Sequence, residues 1–165
     1  MSDGVSFTVQ GIPMPKGSTT RMPHGATIPA GTAESRKRMD QWRMDIRNAA
    51  RDAMDGQPPW TGPVRLWCEF ALVPPKSIPK RQLGWLMHTK KPDIDKLMRM
   101  LSDALTGIVW RDDSQICVAA INKVYAWDGM SGAIVTVDMI SDEQAQRLAE
   151  QSRFLRERIR KLESA

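Results

Sequence analysis

Residues 90–116 read KKPDIDKLMRMLSDALTGIVWRDDSQI, and this stretch governs how the rest of the chain is read. Ile94, Leu97, Met98, Leu101 and Leu105 recur at helical spacing, which predicts a helix over Asp93–Leu105 that packs on a core by that face. Asp95, Arg99 and Ser102 fall on the opposite face, with Asp103 at its side. Asp93 stands just ahead of the first turn, where a carboxylate can cap a helix. Asp95 and Arg99 are one turn apart and can pair. Gly107 stands where helices commonly end on a left-handed residue.

Working outward, Val5–Gln10 alternates apolar and polar and predicts a strand. Residues 11–31 are rich in Gly and Pro and are expected to form a long irregular loop. Met39, Trp42, Ile46, Ala49, Ala50 and Ala53 predict a helix over Glu34–Met54. Val64–Val73 reads as a strand closed by Pro74 and Pro75. After the central stretch come two strands, about Gln115–Ala126 and Ala133–Ile140. The Asp-Gly between them is a hairpin signal. Ser141 and Gln144 have the capping-box form and open a final helix, Asp142–Glu163. The order strand, helix, strand, helix, strand, strand, helix predicts an α+β fold. It is a single domain with one small mixed β-sheet packed by helices. Residues 1–140 make its body, and 141–165 a basic amphipathic helical extension of it.

Composition sets the outer limits. The chain has 165 residues, with 24 Lys and Arg against 19 Asp and Glu, a formal charge of +5 and a pI near 9.5. A basic balance favours nucleic acid or another acidic partner. No apolar run is long enough to span a membrane, and no signal peptide is visible, so a reducing cytoplasm is expected. Cys68 and Cys117 sit in separate apolar segments without a Cys-x-x-Cys, and only His24 and His88 could join them on zinc. Two buried reduced thiols are the expectation.

The chemistry lies with the acids. Asp93 and Asp95 open the central helix, and Asp112 and Asp113 precede the next strand. A helix and a short turn into a neighbouring strand could bring these two places together. Clustered carboxylates repel unless a cation compensates. Mg²⁺ favours oxygen ligands and shares its shell with phosphates. Lys90 and Lys91 beside the cluster supply charge for a nucleic-acid backbone. The plainer alternative is a cap at Asp93 and a solvated turn at Asp112–Asp113. On residues alone the reading is a metal-dependent enzyme acting on phosphate esters, with no substrate named.

Three segments in order resemble the RusA family of Holliday-junction resolvases. They are Lys91-Pro-Asp-Ile-Asp95, Asp103-Ala-Leu-Thr-Gly107 and Asp112-Asp-Ser-Gln-Ile116. The early Gly11-Ile-Pro-Met-Pro-Lys16 and Arg21 also look like the family's first strand and Pro-rich loop. The resemblance covers about residues 5–140. It implies a homodimeric endonuclease of phage or prophage origin, dependent on Mg²⁺ with Mn²⁺ as a substitute. Such an enzyme nicks four-way junctions symmetrically, leaving 5′-phosphate ends, in DNA recombination and repair. It needs no nucleotide cofactor and no membrane. By position, the metal-binding and catalytic aspartates are Asp93, Asp95 and Asp113; Asp112 is a further metal-ligand candidate, and Asp103 matches another acidic position of the family. Arg99 replaces a family lysine one turn after the second aspartate, and Lys96 replaces a common asparagine. Arg99 keeps the charge but gives up a proton far less readily. A junction-binding protein with weak catalysis, or a nuclease for flaps, would share these features.

Basic residues of the 76–91 segment, Lys76, Lys80, Arg81, Lys90 and Lys91, are candidate DNA contacts, as are Lys16 and Arg21. Trp85 is balanced between stacking on a base and packing on the core. Trp110 is expected in the core, and His24 and His88 are expected in loops without a catalytic role. Three placements of the final helix are open, in this order: packed on the domain, a dimer element, or extra DNA-binding surface.

Overall fold

The structure is a computed structural model that describes residues 4–17, 19–21, 27–29, 31–83, 86–127 and 129–163. Strand β1 covers Gly4–Gln10, and β2 and β3 are short strands at Thr19–Arg21 and Thr27–Pro29. Helix α1 spans Ala33–Met54 and β4 spans Val64–Leu72. Helix α2 (Ile94–Leu105) precedes β5 (Ile116–Tyr125), β6 (Gly132–Met139) and α3 (Asp142–Glu163). The main sheet runs β1-β6-β4-β5, with β4 and β5 parallel and the other pairs antiparallel. This is the α+β fold with one small mixed sheet.

Alternation in β4 explains the layering. Val64, Leu66, Cys68, Phe70 and Leu72 are buried, and the residues between them are only half covered. Val135 and Val137 of β6 continue that inner face. Against it lie Trp42, Ile46 and Met54 of α1 and Leu97, Met100, Leu101 and Leu105 of α2, with Trp110 closing the core. Opposite them the sheet carries polar residues such as Ser6, Glu69 and Thr136, as a mixed sheet with one wet face should. Thr32 caps α1 by accepting from the Ser35 N–H at 3.1 Å, an arrangement that stabilises a helix by about 1 kcal/mol. Gly107 ends α2 with φ +77°, and its N–H donates to the Trp110 carbonyl at 2.7 Å. At Gly132 any Cβ would collide with the Val9 carbonyl, so β1 and β6 close tightly only around glycine.

Several expectations are corrected. β5 and β6 do not form a hairpin; β4 lies between them in the sheet. The 11–31 segment is not wholly irregular, because β2 and β3 pair within it. In α2 the buried face is rotated. Met100 is fully buried, Ile94 is 40% exposed, and Ser102 is buried with its hydroxyl donating to the Arg99 carbonyl. Cys68 is buried, and burial pushes its thiol far up; Cys117, on the outermost strand, is exposed. His88 lies in the connection before α2, as expected, and is buried there. α3 has no fully buried residue, and only Leu148 and Ser152 are half-covered, so it does not pack on the domain along its length. Among the described residues no helix is long and apolar enough to cross a membrane.

Candidate nucleic-acid and metal site

Two turns carry the four candidate acids, and each is built differently. Asp93 occupies the position before α2, yet its carboxylate makes no capping bond. Instead it lies 3.1 Å from Lys96 Nζ, one turn along the helix. Asp95 and Arg99 are both exposed, and among the described residues neither enters an ion pair, so the expected pairing between them is absent. The approach to Asp93 is held from beneath. Lys123 Nζ donates to the carbonyls of Lys90 and Pro92, each at 2.7 Å. The Lys91–Pro92 peptide in this turn is cis.

At the second turn, Asp112 and Asp113 separate in role. Asp112 Oδ1 accepts from the Ser114 N–H at 2.9 Å and caps the 3₁₀ turn Asp113–Gln115. Hydrogen bonds from the Ser114 hydroxyl and N–H hold its carboxyl below the ordinary carboxylate value. Asp113 is exposed and, among the described residues, unpaired. Gln115 locks the turn. Its Oε1 accepts from the N–H groups of Arg111 and Asp112, both at 2.9 Å. Its Nε2 donates to the carbonyls of Trp60 at 3.0 Å and Gly62 at 2.7 Å. All four hydrogen-bonding capacities of the amide are therefore used.

The two turns lie at opposite ends of β5. Asp113 precedes Ile116 at the strand's start, whereas Lys123, near its end, touches Pro92. The seven residue steps between Ile116 and Lys123 span roughly 23 Å at the usual strand rise. The expected convergence within one chain does not occur. Among the described residues no group of three His, Cys, Asp or Glu side chains could hold a metal ion. Asp93 and Asp95 alone offer two carboxylates, one already neighbouring Lys96, which is short of a full oxygen cage.

The candidate basic residues also sort themselves. Lys76, Lys80, Arg81, Lys90 and Lys91 are exposed on the same connection that leads into Asp93. Lys16 is tied to α2, its N–H donating to the Lys96 carbonyl at 3.0 Å and its ammonium pairing with Asp103. It anchors the Pro-rich loop on the helix. Arg21 ends β2, and its side chain lies outside the described residues, as do His24 and Trp85. Trp110 is fully buried, as expected, and its indole N–H donates to Thr106 Oγ1 at 3.2 Å.

Two positioning residues carry no role in the motif reading: Gln115, which lies within one of the motifs, and Lys123, which lies outside all of them. The signal for Lys123 was present. It pairs with buried Phe70 across β4–β5, so strand alternation turns a charged residue toward the helix side, where it must find acceptors.

The α+β body sets exposed acids and a lysine-rich connection side by side at the start of α2. The profile described as Endodeoxyribonuclease RusA matches residues 13–138. The chain belongs to that family. It is also similar to YqaN of Bacillus subtilis (strain 168), described as uncharacterised. The two are 33% identical over 73 residues, which is 40% of this chain and 51% of YqaN. The match thus spans about half of that relative's length.

Proposed function

We propose that the chain is a divalent-metal-dependent endodeoxyribonuclease that resolves four-way DNA junctions by paired symmetric nicks, working as a homodimer. One observation carries this reading. The three aspartates at the family's positions, Asp93, Asp95 and Asp113, are all exposed, while neighbouring Asp112 is taken up by its turn. Nothing in the packing of the domain requires those three carboxylates.

Their separation along β5 points to a site shared between two copies. β5 is an edge strand, hydrogen-bonded to β4 on one side. On the other side, among the described residues, Met87 bridges Val124 and the His88 N–H donates to the Lys123 carbonyl, and the first part of the edge has no strand partner. Two copies pairing antiparallel through that open edge would set Asp113 of a second copy beside Asp93 and Asp95 of the first. Such pairing is two-fold symmetric and produces two equal sites, which suits two matched cuts. Asp93, Asp95 and Asp113 of the second copy would then hold Mg²⁺, or Mn²⁺ in its place. When bound, the ion supplies Lewis acidity for water activation and for the charge on the phosphodiester. Arg99, one turn from Asp95, offsets charge on the scissile phosphate. Lys90 and Lys91 hold the adjoining backbone, and Lys76, Lys80 and Arg81 draw in the arms. The products carry 5′-phosphate and 3′-hydroxyl ends, as recombination and repair require.

The experiment compares labelled four-way junction, flap and linear duplex, each in Mg²⁺ and in EDTA. Symmetric paired nicks in the junction alone, and only with Mg²⁺, are expected. Equal cutting of flaps would overturn the junction assignment. The Lys96–Asp93 ion pair favours a second reading, a junction binder with weak catalysis, and tight binding without cutting in both Mg²⁺ and Mn²⁺ would establish it.

A further inference from the structure

Helix α3 runs for 22 residues, about 33 Å; none is fully buried, Leu148 and Ser152 are half-covered, and the rest are exposed. It nevertheless carries apolar residues in order. Leu155 is 56% exposed, Ile159 53% and Leu162 75%. Ala145, Leu148, Ser152, Leu155, Ile159 and Leu162 alternate at spacings of three and four, which is the a/d pattern of a heptad. The positions flanking that stripe are Ala149, Gln151, Arg156, Arg158 and Glu163, none of them a large apolar residue. Phe154 lies off the stripe, under the Arg158 guanidinium 5.9 Å from its ring centre. A helix meant for a sheet surface presents a broader apolar face; a strict two-in-seven seam fits another helix.

We infer that α3 pairs with α3 of a second copy as a parallel two-stranded coiled coil. The seam is complementary to itself: Ile159 falls at an a position and Leu148, Leu155 and Leu162 at d, a combination that favours two parallel strands. Ser152 is the single polar a position, and such a residue fixes register at some cost in stability. Parallel pairing sets Arg158 of one helix against Glu163 of the other, an attractive contact across the seam. Antiparallel pairing centred on Ser152 would instead face Glu163 with Asp142, two acids. The basic residues Arg153, Arg160 and Lys161 remain on the outside. This inference does not rest on nuclease activity, since the association can be read without DNA or metal.

Cross-linking of the full chain tests it. In a Cys117→Ser background the remaining native cysteine, Cys68, is buried. Leu155→Cys places a thiol in the seam, and Phe154→Cys places one outside it. On mild oxidation the seam variant is expected to yield about tenfold more covalent dimer than the off-seam variant, because seam positions face their counterparts across the dimer and position 154 does not. Equal yields, or none from either, would overturn the pairing. Sedimentation equilibrium supplies a second readout. The double change Leu155→Asp with Ile159→Asp is expected to weaken self-association on the order of a hundredfold, and Phe154→Asp to leave it unchanged. Phe154, Leu155 and Ile159 are all exposed, so the folded domain should survive both changes, as circular dichroism would show. Unchanged self-association in the double variant, with reduced junction affinity, would assign α3 to DNA and overturn the inference.

Discussion

The ammonium of Lys96 lies 3.1 Å from a carboxylate oxygen of Asp93, one turn back along α2. It ties up an oxygen that a divalent ion would need, and it places a positive charge beside the proposed site. An exposed pair of this kind stabilises by only about 0.2–1 kcal/mol, so it competes weakly. Lys96→Asn removes the competitor. The Mg²⁺ concentration for half-maximal junction cleavage should fall roughly two- to fivefold. An unchanged Mg²⁺ titration would mean that Lys96 does not restrain Asp93.

Gln115 tests the architecture of the second turn. Its amide joins the Asp112 turn to the carbonyls of Trp60 and Gly62 by four hydrogen bonds. Gln115→Ala should cost about 2–3 kcal/mol of stability, read from the urea midpoint at constant slope. A loss below about 0.5 kcal/mol would show that water replaces the amide.

Asp112 and Asp113 should respond differently to the same change. Asp112→Asn keeps an oxygen that can accept from the Ser114 N–H, so cutting should persist. Asp113→Asn should abolish it while junction binding remains. The Asp112 carboxyl is held below its ordinary value of 3.8 by bonds from Ser114. A lowered folded-state value means that this stabilisation is present above the unfolded value and is lost as pH falls through the folded one. In Asp112→Asn that acid-range loss should shrink. Equal activity in the two variants would contradict the division of roles.

The order of elements was legible because local periodicity writes it. The α1 spacing through Met39, Trp42 and Ile46, and the alternation of β4, are each read within a few residues. The strand order was not legible. The parallel β4–β5 pairing joins residues about fifty positions apart, from Val64↔Ile116 to Leu72↔Tyr125, and leaves no local mark. The Asp-Gly pair therefore read as a hairpin signal although β4 lies between the two strands it joins. The same long-range pairing decides the site. It sets Asp93 and Asp113 at opposite ends of β5, where a short helix-to-strand connection had suggested proximity. It also puts Cys117 on an edge, exposed. In α2 the misplacement is small: the apolar stripe was found, but Met100 and Ser102 show that the buried face is turned by part of a residue spacing.

His88 gives a second pH signature. It is buried, with its ring 4.7 Å from that of Tyr125. Burial, then the charge of nearby Lys123, holds its imidazole below the ordinary 6.5. The folded state thus prefers the neutral ring. Stability is full above about 6.5 and falls as pH drops from there through the folded value. His88→Phe keeps the ring against Tyr125 and removes the titration, so the urea midpoint should fall less between pH 7 and pH 5. An identical acid slope in wild type and variant would place the sensitivity elsewhere.

The shared site is tested most directly by mixing two inactive variants. Asp95→Asn and Asp113→Asn are each expected to bind junction DNA and not cut it. After unfolding and refolding together, half of the dimers should be mixed if pairing is random. In a mixed dimer one shared site carries both changes and the other carries neither. The mixture should therefore regain single-strand nicking of the junction with Mg²⁺, without paired cuts. If each site lay within one chain, every site in the mixture would carry a change, and no nicking would return.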